Sequence, residues 1–239
     1  MIFLIILIWN TSIQAEQDSF IIGVEKNEYL PYYSTTHVYG YTGIIYEVLI
    51  RFAEDKNYNF VFKPMLVPEL CTSLETGIID FKVPYDAVWR CPGLDKSDVT
   101  ASNGFIPYVD GILGKPENSD KNISELKTIG TITGFTPVGF MDLINSGKLR
   151  LVEFHQSEEL IKHTISGKID IAYLNIDVGG FILRRTIAKP DALKYNPNLS
   201  HLTSTYRIAT KKYPDIITEF NQWVEKNKKR IEYIASNYG

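Results

Sequence analysis

Cysteine is scarce in this chain: Cys71 and Cys91 are the two present, and no clustered histidine pair stands near them. A structural zinc site needs four such ligands, so none is expected. The histidines His37, His155, His163 and His201 are scattered, with neither metal spacing nor a nucleophile partner. No glycine-rich phosphate loop, dinucleotide fingerprint or G-x-S-x-G elbow is present, so the sequence points to no cofactor, no metal and no catalytic residue. Neither sign of charge dominates. With 25 Lys and Arg against 28 Asp and Glu, the net charge of -3 gives no basic field to hold nucleic acid. No apolar run reaches the roughly 20 residues that span a bilayer.

The longest apolar run is N-terminal. Residues 2–8 read Ile-Phe-Leu-Ile-Ile-Leu-Ile, and Ile13-Gln14-Ala15 follows before Glu16. This is the pattern of a secretory signal peptide cleaved near Ala15, although no Lys or Arg precedes the apolar core. No cysteine follows the run, so no lipid anchor is expected. Export permits a disulfide between Cys71 and Cys91; two unpaired thiols fit the sequence equally well. The 239 residues suffice for two compact lobes.

Strands and helices alternate along the mature chain. Phe20 to Val24 reads as a strand, Gly43 to Ala53 as a helix with apolar residues at helical spacing, and Asn59 to Lys63 as a strand. Pro68 to Thr76 reads as a helix stopped by Gly77, and Ile78 to Phe81 starts the next strand. A second unit repeats the order. Thr128 to Thr131 is a strand, and Thr136-Pro137 begins a helix running toward Ser146-Gly147. Leu149 to Phe154 is a strand, Ser157 to Ser166 a helix stopped by Gly167, Ile169 to Leu174 a strand, and a helix continues to about Arg185. Leu74 to Asp80 echoes Ile165 to Asp170 at equivalent places in the two units. Two βαβαβ units imply two α/β lobes with mostly parallel sheets. The extended stretch from Pro107 to Lys115 and the strand from Thr205 to Ala209 are the expected crossovers. A closing amphipathic helix starts at Pro214. The expected organisation is a signal peptide at 1–15, the first lobe at 16–110, the second at 111–200, and a return to the first at 201–239.

Several pieces in this order carry a resemblance. Tyr29-Leu30-Pro31-Tyr32 resembles an aromatic-Pro-aromatic loop, and Tyr41-Thr42-Gly43 a G-[FY] helix entry. Leu74 to Asp80 resembles an L-x-x-G-x-x-D turn, Phe105 to Gly111 an F-S-x-P-Y-x-x-G crossover, and Ile129 to Thr136 a V-G-x-x-x-G-[ST]-[ST] segment. Together they resemble the type 2 periplasmic solute-binding proteins, family 3, across nearly all of residues 16–239. The resemblance implies a periplasmic-binding-protein-like fold of type II, with two lobes joined by two hinge crossovers. It also implies a periplasmic, monomeric protein that binds an amino acid or related small carboxylate between the lobes and hands it to a membrane ABC permease. Two alternatives use the same fold: a sensing subunit for a separate signalling protein, and a dehydratase of a cyclic carboxylate. Glu47, Asp86 and Asp177 are the acids the enzyme reading could nominate.

The expected ligand-binding residues are Tyr29, Tyr32, Tyr41, Asp86, Arg90, Thr136 and Asn175. By family position Tyr29 and Tyr32 reach the cleft. Arg90 supplies a bidentate donor for an anionic group, with a surface Arg packed on Trp89 as the plainer reading. Thr136 with Pro137 reads as a helix N-terminus that suits a carboxylate or phosphate, against a plain solvent-facing cap. Asn175 stands where the family often has an aspartate for the ligand ammonium, and an amide pairs less strongly with a cation. Asp86 and Asp177 are candidate countercharges, or else solvated loop acids. The tyrosines around residues 29–46 suit stacking on a flat or cationic ligand, although some are expected in the core.

Overall fold

The computed structural model of the protein describes residues 17–37, 40–118 and 121–238. The expected signal peptide and Tyr39 lie outside the described residues. The chain opens with β1 (Asp18–Glu25) and a small antiparallel sheet of β2 (Glu28–Tyr29), β3 (Tyr33–His37) and β4 (Gly40–Thr42). Next come α1 (Ile44–Lys56), β5 (Tyr58–Met65), α2 (Val67–Glu75) and β6 (Phe81–Tyr85). The short β7 (Thr100–Ala101) precedes the long β8 (Ile106–Gly114). The second unit is β9 (Thr128–Ile132), α3 (Met141–Asn145), β10 (Arg150–Phe154), α4 (Ser157–Ile165), β11 (Ile171–Asn175) and α5 (Ile176–Phe181). A π-helical turn at Ile182–Thr186 extends α5. Then follow β12 (Lys194–Tyr195), β13 (Leu202–Thr210), α6 (Pro214–Lys226) and α7 (Lys228–Ser236).

The main sheet runs β10-β9-β11-β8-β13-β6-β1-β5. Its two ends are parallel: β5 and β6 flank β1, and β10 and β11 flank β9. Both βαβαβ units are therefore present, in a two-lobed α/β fold. The middle is antiparallel. Ile106–Asp110 of β8 pairs with Leu202–Tyr206 of β13; beyond that ribbon β8 continues onto β11, and β13 onto β6. These two strands carry the chain from one half of the sheet to the other, as a hinge requires.

Burial explains the elements. Helix α1 presents Ile44, Ile45, Val48, Leu49, Phe52 and Ala53 to the core, and Asn57 ends it at a positive φ of 56°. Every residue of β6 and of β11 is buried, as in strands with a neighbour on each side and both faces covered. The echo between the units is geometric. Gly77 and Gly167 take φ near +75°, at 73° and 77°. The nitrogens of Ile78 and Ile79 both reach the Ser73 carbonyl, as those of Lys168 and Ile169 reach that of His163. Each turn then delivers an aspartate to the start of the neighbouring strand. Asp80 accepts from the Ile21 nitrogen at 2.8 Å, and Asp170 from the Thr128 nitrogen at 2.9 Å.

Three expectations are corrected. The helix expected from Thr136 begins at Met141, because Gly139 holds a φ of +84° and its α-carbon faces the Ser200 side chain. The closing helix is two helices: Asn227 donates its side-chain amide to the Trp223 carbonyl at 2.9 Å and breaks the helical path. The tyrosine-rich loop is the three-stranded sheet β2-β3-β4. Its alternation places Tyr29, Tyr33 and Tyr41 in a continuous stack, with ring centroids 5.1 and 6.2 Å apart.

Cys71 and Cys91 form a disulfide, with α-carbons 5.5 Å apart and a sequence separation of 20. It ties α2 to the loop after β6. Replacing both cysteines by serine should lower unfolding stability by ~3 kcal/mol, the loop entropy released to the unfolded chain. Urea melts of the oxidised protein and the double variant measure this; equal midpoints would refute it.

Candidate binding cleft

A cavity lies where the two halves of the sheet meet, with about 590 Å³ of space between its walls, open mouth included. Glu25, Tyr29, Lys82, Asp86, Trp89 and Arg90 line it from the first half; Phe135, Thr136 and Tyr173 line it from the second; Asp110 and Tyr206 line it from the crossover strands. The two halves are closed on each other. The Asn175 nitrogen donates to the Tyr29 hydroxyl at 2.9 Å, the Tyr32 hydroxyl donates to Asp177 at 2.8 Å, and the Arg90 nitrogen donates to the Thr136 hydroxyl at 2.9 Å. The Phe135 ring meets Tyr29 edge-on at 5.5 Å, and Gly134 seats against Val67 and Pro68.

Of the residues expected from sequence, Tyr29, Asp86, Arg90 and Thr136 line this cavity. Thr136 does so without a helix N-terminus: its hydroxyl accepts from Arg90 across the cleft, so the anion site expected of a helix end is absent there. The Arg90 side chain is exposed at the rim, and its backbone makes the cross-cleft bond. Asp86 is buried and accepts from the Tyr108 hydroxyl at 3.0 Å, the Ser204 hydroxyl at 2.5 Å and Arg207 at 3.3 Å. These bonds anchor the β6 loop to the crossover strands. Tyr32, Tyr41 and Asn175 lie outside the cavity wall. Tyr32 latches onto Asp177, and Tyr41 stacks on Tyr33 and Phe62 in the core. The Asn175 side chain caps α5 by accepting from the Asp177 and Val178 nitrogens, and its amide donates to Tyr206. Glu47 accepts from Tyr238 far along the chain, at 2.6 Å.

Three buried charges were not singled out from the sequence: Glu25, Lys82 and Asp110. Glu25 ends β1 and accepts a short hydrogen bond from the Tyr33 hydroxyl. Burial raises its carboxyl above the usual range, while the Lys82 ammonium and the Tyr33 hydroxyl pull it back. Lys82 projects from β6, donates to the Pro84 carbonyl at 2.6 Å and sits 5.8 Å from the centres of both the Tyr85 and Trp89 rings. Burial lowers its ammonium, and Glu25 opposes that. Asp110 is pushed up to about 8, by burial first and then by Glu25 and Asp86. The loop carrying Trp89 and Arg90 is fixed by the disulfide and by Lys96, which donates to the Ala87 and Trp89 carbonyls, each at 2.7 Å.

No protein-family profile matches the sequence, and no curated protein matches it. Solved structures do. The arginine-, lysine-, histidine-binding protein ArtJ of Geobacillus stearothermophilus superposes with a TM-score of 0.74 at 15% identity, over 92% of this chain and 95% of that one. An ancestral arginine-binding protein bound to arginine gives 0.73 at 19% identity, over 93% and 98%. A histidine kinase sensor domain with similarity to periplasmic binding proteins gives 0.73 at 15% identity, over 93% and 96%. The fold is that of the type 2 periplasmic solute-binding proteins.

Proposed function

We propose that the protein binds a small polar solute in this cleft, closing on it from two lobes, and delivers it to a membrane ABC importer. The lobes comprise residues up to 110 with 201–238, and residues 111–200. The observation that carries the reading is the closed cavity itself: three hydrogen bonds cross the cleft, and charged side chains line the space they enclose. Closure of this kind is favoured by ligand because only the closed state makes both sets of contacts. The neighbours that bind arginine, lysine and histidine support an amino acid or a relative of one. Among the described residues no helix is long and apolar enough to cross a membrane, which fits a protein working in the periplasm. The sensor-domain neighbour supports a second use of the same closure, signalling to a separate protein.

The test is a thermal-shift screen of residues 16–239 against amino acids, polyamines, small carboxylates and phosphates. A ligand at about a hundred times its dissociation constant adds about 2.7 kcal/mol of stability, a plain shift in melting temperature. The hit should be recovered unchanged and should weaken in Tyr29→Phe and Thr136→Val. A hit that is consumed would replace binding with catalysis, and silence across the whole panel would overturn the reading.

A further inference from the structure

Charge in the buried part of the cavity does not balance. Glu25 faces Lys82, and Asp86 is bridged by Arg207 at 3.3 Å. Asp110 is left over. The residue is buried, with 7% of its surface exposed. Oδ1 is shut off from solvent without a hydrogen-bond partner, and among the described residues the carboxylate joins no ion pair. Ionising a buried carboxyl with no partner costs on the order of several kcal/mol, so without a cation beside it the group keeps its proton. Among the described residues no cation is placed to relieve it: the charges acting on it are those of Glu25 and Asp86, both negative. The Lys82 ammonium donates to the Pro84 carbonyl at 2.6 Å and is favoured by the Glu25 charge.

The missing partner has a defined place. Asp110 lies on β8 directly across from Asn175 of β11, and lines the cavity together with Tyr29, Tyr173, Tyr206 and Trp89. Asn175 spends its oxygen on the α5 nitrogens. The carboxylate at this level of the cleft therefore comes from the hinge strand. Aromatic faces around it suit a positive group. We propose that Asp110 is the receptor for a cation of the ligand other than an α-ammonium, a side-chain or terminal ammonium or guanidinium, so that the solute is one carrying that additional positive charge. The inference rests on the cleft being a solute site.

A proton exchange accompanies it. The groups facing Asp110 are Glu25 of β1, Tyr29 of β2, Tyr32 before β3, Asp86 after β6, Tyr108 of its own strand, Tyr173 of β11 and Tyr206 of β13. The negative charges of Glu25 and Asp86 hold the proton on Asp110. A ligand cation beside Asp110 reverses that field, so one proton leaves as the cation enters.

The experiment is calorimetry of the full mature chain with matched probes: L-arginine against L-citrulline, L-lysine against L-norleucine, and agmatine and putrescine without a carboxylate. Each is titrated at pH 7 in two buffers of different ionisation enthalpy. The expected result is that the charged member of a pair binds at least ~100-fold tighter than its neutral isostere, the scale for breaking a buried charge pair. Close to one proton should be released. Asp110→Asn should lose that ~100-fold preference while remaining folded. Neutral isosteres binding as tightly, no proton release, or an Asp110→Asn variant with unchanged selectivity would each overturn the inference and leave solute binding standing. Failure of every probe here and of every compound in the broader screen would remove both.

Discussion

Asp110→Asn raises the melting temperature of the ligand-free protein, and the gain is larger at pH 8.5 than at pH 5. The acid is held in its protonated form by the fold, pushed up to about 8 by burial and by Glu25 and Asp86. Its folded value lies above its unfolded one, so the folded state binds the proton more tightly. The associated stability is fully present below the unfolded value of about 4 and is lost as pH rises toward 8. Each unit of difference is worth about 1.4 kcal/mol, so the wild type gives up on the order of several kcal/mol across that window. Asparagine has no proton to lose and escapes the loss. At pH 5 the two side chains are both neutral and nearly the same shape, and the difference should be small. Melting curves of both proteins at the two pH values decide it. Equal offsets at pH 5 and 8.5 would show that the carboxyl is not held protonated by its surroundings. A residue that weakens the empty protein at working pH, while lining its cleft, is placed there for something the empty protein lacks.

The architecture was legible in the sequence where local chemistry and tertiary structure agree. The helix, glycine and strand pattern of Leu74 to Asp80 and of Ile165 to Asp170 marked two equivalent turns, because only a left-handed residue lets the chain reverse there. Arg90 and Thr136 were nominated as ligand contacts from opposite lobes; what the structure shows is the Arg90 backbone nitrogen bonded to the Thr136 hydroxyl across the cleft. What was illegible is long-range. Thr136-Pro137 has the chemistry of a helix start, but Gly139 turns the chain away two residues later. The Tyr29 to Tyr41 segment read as a loop because strands of two to five residues leave too short an alternation to detect. Glu25, Lys82 and Asp110 did carry a signal: each is a charge inside or ending an apolar strand, where charges are rarely buried without purpose. That signal becomes specific only when three strands distant in sequence converge on one cavity.

Lys82→Met should cost ~3 kcal/mol or more of stability at pH 8, because it strands Glu25 as a buried carboxylate with the Tyr33 hydroxyl as its one remaining polar support. Methionine keeps the unbranched stem between Tyr85 and Trp89, so the loss reports on charge rather than on a void. In the variant nothing opposes the burial that already lifts the Glu25 carboxyl, and it rises further. A raised carboxyl is neutral and harmless at low pH and is penalised as pH climbs through its folded value. The deficit should therefore shrink toward pH 5. Glu25→Gln added to Lys82→Met removes the stranded charge and should recover most of the stability at pH 8. Glu25→Gln alone leaves a buried ammonium on Lys82 and should be destabilising. Urea melts of the four proteins form a double-mutant cycle that isolates the pair. Additive losses, with no recovery in the double variant, would mean that Glu25 and Lys82 do not neutralise each other. The tally that leaves Asp110 as the uncompensated charge would then have to be redrawn with Lys82 as its partner.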